Sequence, residues 1–331
     1  MSRPTLVLRE AEIRSLIDPA ALIGAIERAF TSYAAGRAEL PDVIHLDVPK
    51  ARGEVHVKAG HLHGGSYWAV KIASGFPGNP ALGMSANDGM VLVFDAATGA
   101  PAALLLDNGC LTDLRTAAAG AVAARHLARA EPGAVAVIGT GAQARLQVRM
   151  LAEVRPFEAL RVWGRRRDAA EAVIRDLASA LPPGVQAGVV DTPEAAVTGA
   201  DVIYTATASR APLVRADWIG PGALVVAVGS DGAHKQELDV AVLATADRIV
   251  ADSLAQCRRI GEVHHALDAR VIEESQVTEL GRITGGLAPG RGSADERIVC
   301  DLTGLGVQDV AAATLVLEQA QVRGVGERWT R

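Results

Sequence analysis

Ala134-Val135-Ala136-Val137-Ile138-Gly139-Thr140-Gly141-Ala142-Gln143-Ala144 is the stretch on which the fold of this chain turns. Five apolar residues suit a buried parallel strand. Two glycines one residue apart follow, and a helix-forming segment begins at once. In such a strand-turn-helix unit Gly139 lets the chain reverse sharply and Gly141 lets backbone approach a pyrophosphate. Ala144 stands where the helix must pack closely on the strand, and the helix's free N–H groups and positive dipole end attract phosphate. A second β-type run, Leu160-Arg161-Val162-Trp163, follows at the spacing a βαβ unit requires. The stretch therefore predicts dinucleotide binding through Gly139, Thr140, Gly141, Ala142 and Gln143.

Outward from this turn, residues 132–251 alternate strand and helix patterns, the signature of a doubly wound parallel sheet. The predicted strands are Val185–Val190, Asp201–Thr207, Ala223–Gly229 and Arg248–Ala251. Ligands of such sheets sit beyond the carboxyl ends of the strands. The second strand ends in Gly164-Arg165-Arg166-Arg167-Asp168. It lacks the acid that pairs the ribose hydroxyls of NAD and offers arginines suited to a 2′-phosphate, which favours NADP(H) while leaving NAD(H) open. Thr205-Ala206-Thr207 end the fourth strand and are candidates to line the nicotinamide side. Val228-Gly229-Ser230 end the fifth, placing Asp231 as a candidate acid or base, or as the cap of a helix expected near Lys235.

Before the turn, residues 2–37 read as a short strand, Leu6–Leu8, and a helix started by Asp18-Pro19. Residues 43–106 read as a mainly antiparallel sheet. Lys71 follows an apolar run in that sheet, so it either snorkels to solvent or supplies charge to a site. Thr112 is a candidate cap for a helix over 117–128, which puts Arg115 in the first turn. The helix dipole opposes an arginine there, so either a bound carboxylate or plain surface exposure must account for it. Behind the nucleotide unit, His264 and His265 lie on an expected helix without zinc-ligand spacing, and the pattern over 252–289 is mixed. Gly304 and Gly306 precede a final apolar helix, as packing or ligand-contact residues.

Composition bounds the possibilities. The 331 residues suit two domains, and 49% hydrophobic content supplies ample core. A net charge of −5 argues against a nucleic-acid partner. Three scattered cysteines, Cys110, Cys257 and Cys300, fit a reducing compartment and suggest no metal framework. With no leader and no spanning apolar run, the chain reads as cytoplasmic, with no membrane partner.

Five stretches taken together resemble the ornithine cyclodeaminase and mu-crystallin superfamily. They are Val70-Lys71 with Phe76-Pro77-Gly78-Asn79, Leu111-Thr112 with Arg115-Thr116-Ala117-Ala118, the glycine turn 139–144, Gly229-Ser230-Asp231 with Lys235-Gln236-Glu237-Leu238, and Gly304-Leu305-Gly306-Val307-Gln308-Asp309. The resemblance implies a homodimer. It also implies a substrate and dimerisation domain over 1–116 with 308–331, and a Rossmann-type domain over 117–307. By the same resemblance Lys71 and Arg115 hold a substrate carboxylate beside the nicotinamide, with His45 and Lys58 near it. Asp231 is the acid or base, and Thr116 and Gly306 join the cofactor site. Two departures stand out: His45 replaces an arginine common in the family, and Asp301-Leu302-Thr303-Gly304 replaces a Phe-x-Ser-x-Gly form. The second of these, together with Ala73-Ser74-Gly75-Phe76 and Asp107-Asn108-Gly109, resembles the branch near iminosuccinate reductase and the ectoine-utilisation cyclodeaminase-like proteins. The implied activity is reduction of a small 2-imino acid, such as iminosuccinate or a cyclic ketimine, to an L-amino acid. The alternatives are a cyclodeaminase-type lyase that recycles bound NAD, and a non-catalytic NADP(H)-binding protein.

Overall fold

The computed structural model describes residues 4–330. The chain divides into two units, one formed by residues up to Arg115 together with Leu305 onward, the other by Thr116–Gly304. The boundary falls within a single helix, Cys110–Leu127.

The first unit is built on an eight-stranded sheet in the order Glu327–Trp329, Thr5–Arg9, Pro101–Leu106, Asn87–Asp95, Tyr67–Gly75, Gly53–Leu62, Ala38–Glu39, with Ile44–Val48 also pairing Gly53–Leu62. All pairings are antiparallel except that of Thr5–Arg9 with Pro101–Leu106. The helix expected at Asp18-Pro19 runs over Pro19–Ala34, and the Asp18 carboxylate accepts from Ala21 N at 2.8 Å. The last helix, Gly306–Arg323, packs on this helix and on the strands Gly53–Leu62 and Tyr67–Gly75. A Cβ at Gly306 would stand 2.6 Å from the Ala59 carbonyl oxygen, so glycine permits the close approach.

The second unit carries an all-parallel sheet in the order Gln186–Val189, Ala159–Trp163, Ala134–Ile138, Val202–Thr205, Leu224–Ala227, Ile298–Asp301, Arg248–Ala251, Val277–Glu279. From Ala134–Ile138 the strand order runs one way through the next two strands and then the other way, making a topological switch point between Ala134–Ile138 and Val202–Thr205. The central strands are buried on both faces, which is why they read as uninterrupted apolar runs. The architecture is α/β, a Rossmann-type sheet with a mainly antiparallel second sheet.

Several local expectations are corrected. Helix Cys110–Leu127 begins two residues before Thr112, because Asp107 accepts from Leu111 N at 2.9 Å and Asn108 and Gly109 turn the chain with positive φ. Arg115 thus lies in the second turn. No helix starts near Lys235; Gln236–Leu238 is a short strand parallel to Arg210–Val214. Ile298–Asp301, overlooked as a strand, is inserted between Leu224–Ala227 and Arg248–Ala251. His264 is buried in its helix, Gly261–Asp268. All three cysteines are buried and free. Among the described residues no helix is long and apolar enough to cross a membrane.

Candidate active site

In the second unit the glycine turn closes the strand Ala134–Ile138 and opens the helix Ala142–Ala152. Gly139 has φ +137°, a conformation side-chain-bearing residues rarely adopt. Gly141, at the helix N-cap, has open space where a Cβ would project. Arg145 braces the turn, donating to the carbonyls of Thr140 at 2.7 Å and Gly141 at 3.1 Å while pairing with Asp176 at 2.7 Å. A cleft of about 780 Å³ opens over the turn, walled by Gly139–Gly141, Trp163–Arg166 and Ala206–Arg210. Arg165 and Arg166 are exposed on its rim. The helix N-terminus, the open Cβ position of Gly141 and the rim arginines fit a dinucleotide pyrophosphate and ribose.

Other predicted residues lie around the strand ends. Thr116 accepts from Gln147 Nε2 at 3.3 Å, and Gln143 Oε1 accepts from the same nitrogen at 3.2 Å. Thr205, Thr207 and Gly229 converge on a group the sequence reading did not single out, the Glu237 carboxylate. Its Oε1 accepts from Thr207 N at 2.6 Å and Thr207 Oγ1 at 2.7 Å; its Oε2 accepts from Thr205 Oγ1 at 2.8 Å and Gly229 N at 2.9 Å. One buried carboxylate therefore ties two strand ends, including residues of the cleft wall. Burial outweighs these hydrogen bonds and raises its pKa to about 7. Ser230 is buried and donates to the Lys235 carbonyl at 2.7 Å, and Val228 is buried. Asp231 is exposed and paired with Lys235. His265 donates to the Lys235 carbonyl at 2.7 Å, which gives it a structural occupation.

In the first unit Lys71 and Arg115 are brought together by Asp309, which the sequence reading quoted only within a motif. Lys71 Nζ lies 2.9 Å from Asp309 Oδ1 and Arg115 Nε lies 3.0 Å from the same oxygen; all three side chains are about 5% exposed or less. Arg115 Nη1 also donates to Gln308 Oε1 at 2.6 Å. Lys58 stands directly across from Lys71 in the sheet. Burial, helped by the positive charges of Arg115 and Lys58 and opposed by Asp309, brings the Lys71 pKa down to about 7. Burial alone would raise Asp309, but Lys71 and Arg115 hold it below the usual carboxylate range.

Of the polar atoms buried here, Asp309 Oδ2 is ion-paired with Lys71 Nζ at 2.9 Å, and Gln308 Nε2 has no hydrogen-bond partner. Arg115 Nε is close to Asp309 in charge but not aligned as a donor. Unsatisfied buried polar groups are costly, so a polar ligand is the natural complement. Gly306 is buried against Ala59 in this unit, in a packing position. His45 is not part of the Lys71 cluster: it is exposed, opposite His56 and 3.1 Å from Asp47.

The family profile described as ornithine cyclodeaminase/mu-crystallin family matches residues 3–324. The chain belongs to this family. It is 45% identical to a Rhizobium meliloti protein named for dehydrogenase activity, over 97% of each chain. An archaeal alanine dehydrogenase dimer with bound NAD superposes with a TM-score of 0.92 at 35% identity, over 99% of each chain. The iminosuccinate reductase of Paracoccus denitrificans in complex with NAD+ superposes with a TM-score of 0.92 at 34% identity, over 99% of this chain and 100% of the other.

Proposed function

We propose that this protein is a nicotinamide-dependent reductase or dehydrogenase that interconverts a small 2-imino acid and the corresponding L-amino acid. The observation that carries the reading is the buried Lys71–Asp309–Arg115 cluster, two cations sharing one carboxylate beside the unpartnered Gln308 Nε2. Two buried cations against one carboxylate leave a net positive charge, suited to a substrate carboxylate. The relatives that bind NAD and act on an amino or imino acid support it. A bound nicotinamide dinucleotide, held by Gly139, Thr140, Gly141, Ala142 and Gln143, supplies or accepts the hydride.

Lys71 and Arg115 anchor the carboxylate and so fix the adjacent imine carbon for hydride delivery. In reduction the C=N bond of the protonated imine takes up the hydride at carbon, giving the amine while the coenzyme is oxidised. Asp231, being exposed, exchanges the proton at nitrogen with solvent. Lys58 lies across from Lys71 and adds charge that suits a second carboxylate. Arg165 and Arg166 favour NADP(H). The exposed strand Ile44–Val48, with Ile44 63% and Leu46 58% exposed, supports a homodimer.

The test is nicotinamide absorbance with glyoxylate, pyruvate and oxaloacetate plus ammonia or methylamine, and with cyclic imines, using both coenzymes. Arg115→Ala abolishes turnover and leaves coenzyme affinity nearly unchanged. Full turnover in that variant removes Arg115 from the site. Ammonia release from ornithine without net absorbance change overturns the reductase reading.

A further inference from the structure

The antiparallel register of Ile44–Val48 with Gly53–Leu62 places His45 directly opposite His56. Their rings meet edge to face with centroids 4.6 Å apart, and the two Nδ1 atoms lie 3.4 Å apart. The far nitrogen of each ring faces a carboxylate: His45 Nε2 is 3.1 Å from Asp47 Oδ1, and His56 Nε2 is 3.7 Å from Glu54 Oε2. A carboxylate accepts only, so Asp47 holds the proton of His45 on Nε2 and leaves the His45 Nδ1 lone pair facing His56. With His56 in the same neutral tautomer, both Nδ1 lone pairs converge on one point, where a cation is the natural complement.

The spacing suits a metal ion better than a shared proton. A shared proton would draw the nitrogens to a hydrogen-bond distance of about 2.7–3.2 Å. Two imidazoles on one tetrahedral metal, with metal–nitrogen bonds of roughly 2.0–2.1 Å, stand about 3.3–3.4 Å apart. One ligand atom from each of His45, Glu54 and His56 lies within 4.8 Å of the others, so Glu54 is in reach as a third ligand. Asp47, on the outer nitrogen of His45, has the position of the carboxylate that orients a metal-bound histidine.

We propose that His45, His56 and Glu54 form a binding site for a divalent transition metal of the zinc class, with Asp47 as the orienting carboxylate and solvent completing the tetrahedron. Mixed imidazole and carboxylate donors suit Zn2+, Cu2+ and Ni2+ over Mg2+ or Ca2+. Alternation along the strand puts His56 on the same sheet face as Lys58, so the ion adds positive charge beside that lysine. The sequence shows no metal motif because the two histidines are eleven residues apart and meet only through strand pairing.

The site is tested on tag-free, chelator-stripped full-length protein titrated with Co2+, whose visible bands report tetrahedral coordination, followed by Zn2+ displacement and elemental analysis after dialysis. One equivalent per chain binds to the natural protein and to His63→Gln, a histidine paired with Glu39 elsewhere on the sheet. His45→Gln and His56→Gln lose the bands while circular dichroism stays native, and Asp47→Asn weakens binding about tenfold. Absence of tetrahedral Co2+ in the natural protein, or equal binding in both histidine variants, overturns the proposal. Neither readout depends on turnover, so the reductase reading stands or falls separately.

Discussion

Replacing each glycine of the nucleotide turn by alanine separates a glycine required by the fold from one required by the ligand. At Gly139 a Cβ would stand 2.5 Å from the Ala206 carbonyl oxygen and 3.0 Å from its carbon, both backbone atoms. Ala206 cannot easily move, since its N–H donates to Ile138 O at 2.9 Å across the parallel strands. Alanine at φ +137° adds backbone strain of about 1–3 kcal/mol, and the forced contact about 1–3 kcal/mol more. Gly139→Ala should therefore cost roughly 4 kcal/mol, lowering Tm by about 8–16 °C at about 2–4 °C per kcal/mol for a unit of this size. Gly141 has φ −80° and no neighbour near the Cβ position, so alanine there costs only a weaker N-cap, about 0.5–1 kcal/mol. Its methyl nevertheless projects where the pyrophosphate must approach. Gly141→Ala should melt within about 4 °C of the natural protein yet bind dinucleotide at least about tenfold more weakly, a loss of about 1.4 kcal/mol. Calorimetric melting without coenzyme, paired with coenzyme titration, measures both. Unchanged coenzyme affinity in Gly141→Ala, or natural-like melting of Gly139→Ala, refutes the reasoning.

Lys71, with its pKa near 7, should make kcat/KM for an anionic imino acid fall as pH rises above that value, because the neutral amine no longer attracts the carboxylate; a flat profile from about pH 6 to 9 contradicts the assignment. The same depression means that burying the charged amine costs stability below pH 7, and that this cost fades as pH rises toward the ordinary 10.5, which pH-dependent urea unfolding will read. Asp309→Asn leaves two buried cations without a counter-charge and should destabilise by about 3–5 kcal/mol in denaturant titration, whereas a loss under about 1 kcal/mol would show that the pair carries little. Removing both rim arginines, Arg165→Ala with Arg166→Ala, should raise KM for NADPH about tenfold or more and leave KM for NADH nearly unchanged. Parallel loss with both coenzymes would assign those arginines to the shared pyrophosphate.

What the chain states by itself is local. The run Ala134–Ile138, the glycines at 139 and 141 and the helix after them read correctly because strand burial, tight turning and helix initiation each depend on neighbours a few residues away. The same holds for Asp18 capping Pro19–Ala34. The misreadings arose where a short-range signal competed with a distant one. Thr112 looked like a cap, but Asp107 takes Leu111 N and starts the helix earlier. Gln236–Leu238 became a strand because Arg210–Val214 offers it a partner. Lys71 and Arg115 were legible as candidates, yet whether they snorkel or are buried was decided by Asp309, 238 residues from Lys71 in sequence. Glu237 gathers donors from two strand ends, and His45 meets His56 through sheet register. Periodicity and turn chemistry are written in consecutive residues. The partner of a buried charge is chosen by packing between elements, and only the folded chain makes that choice.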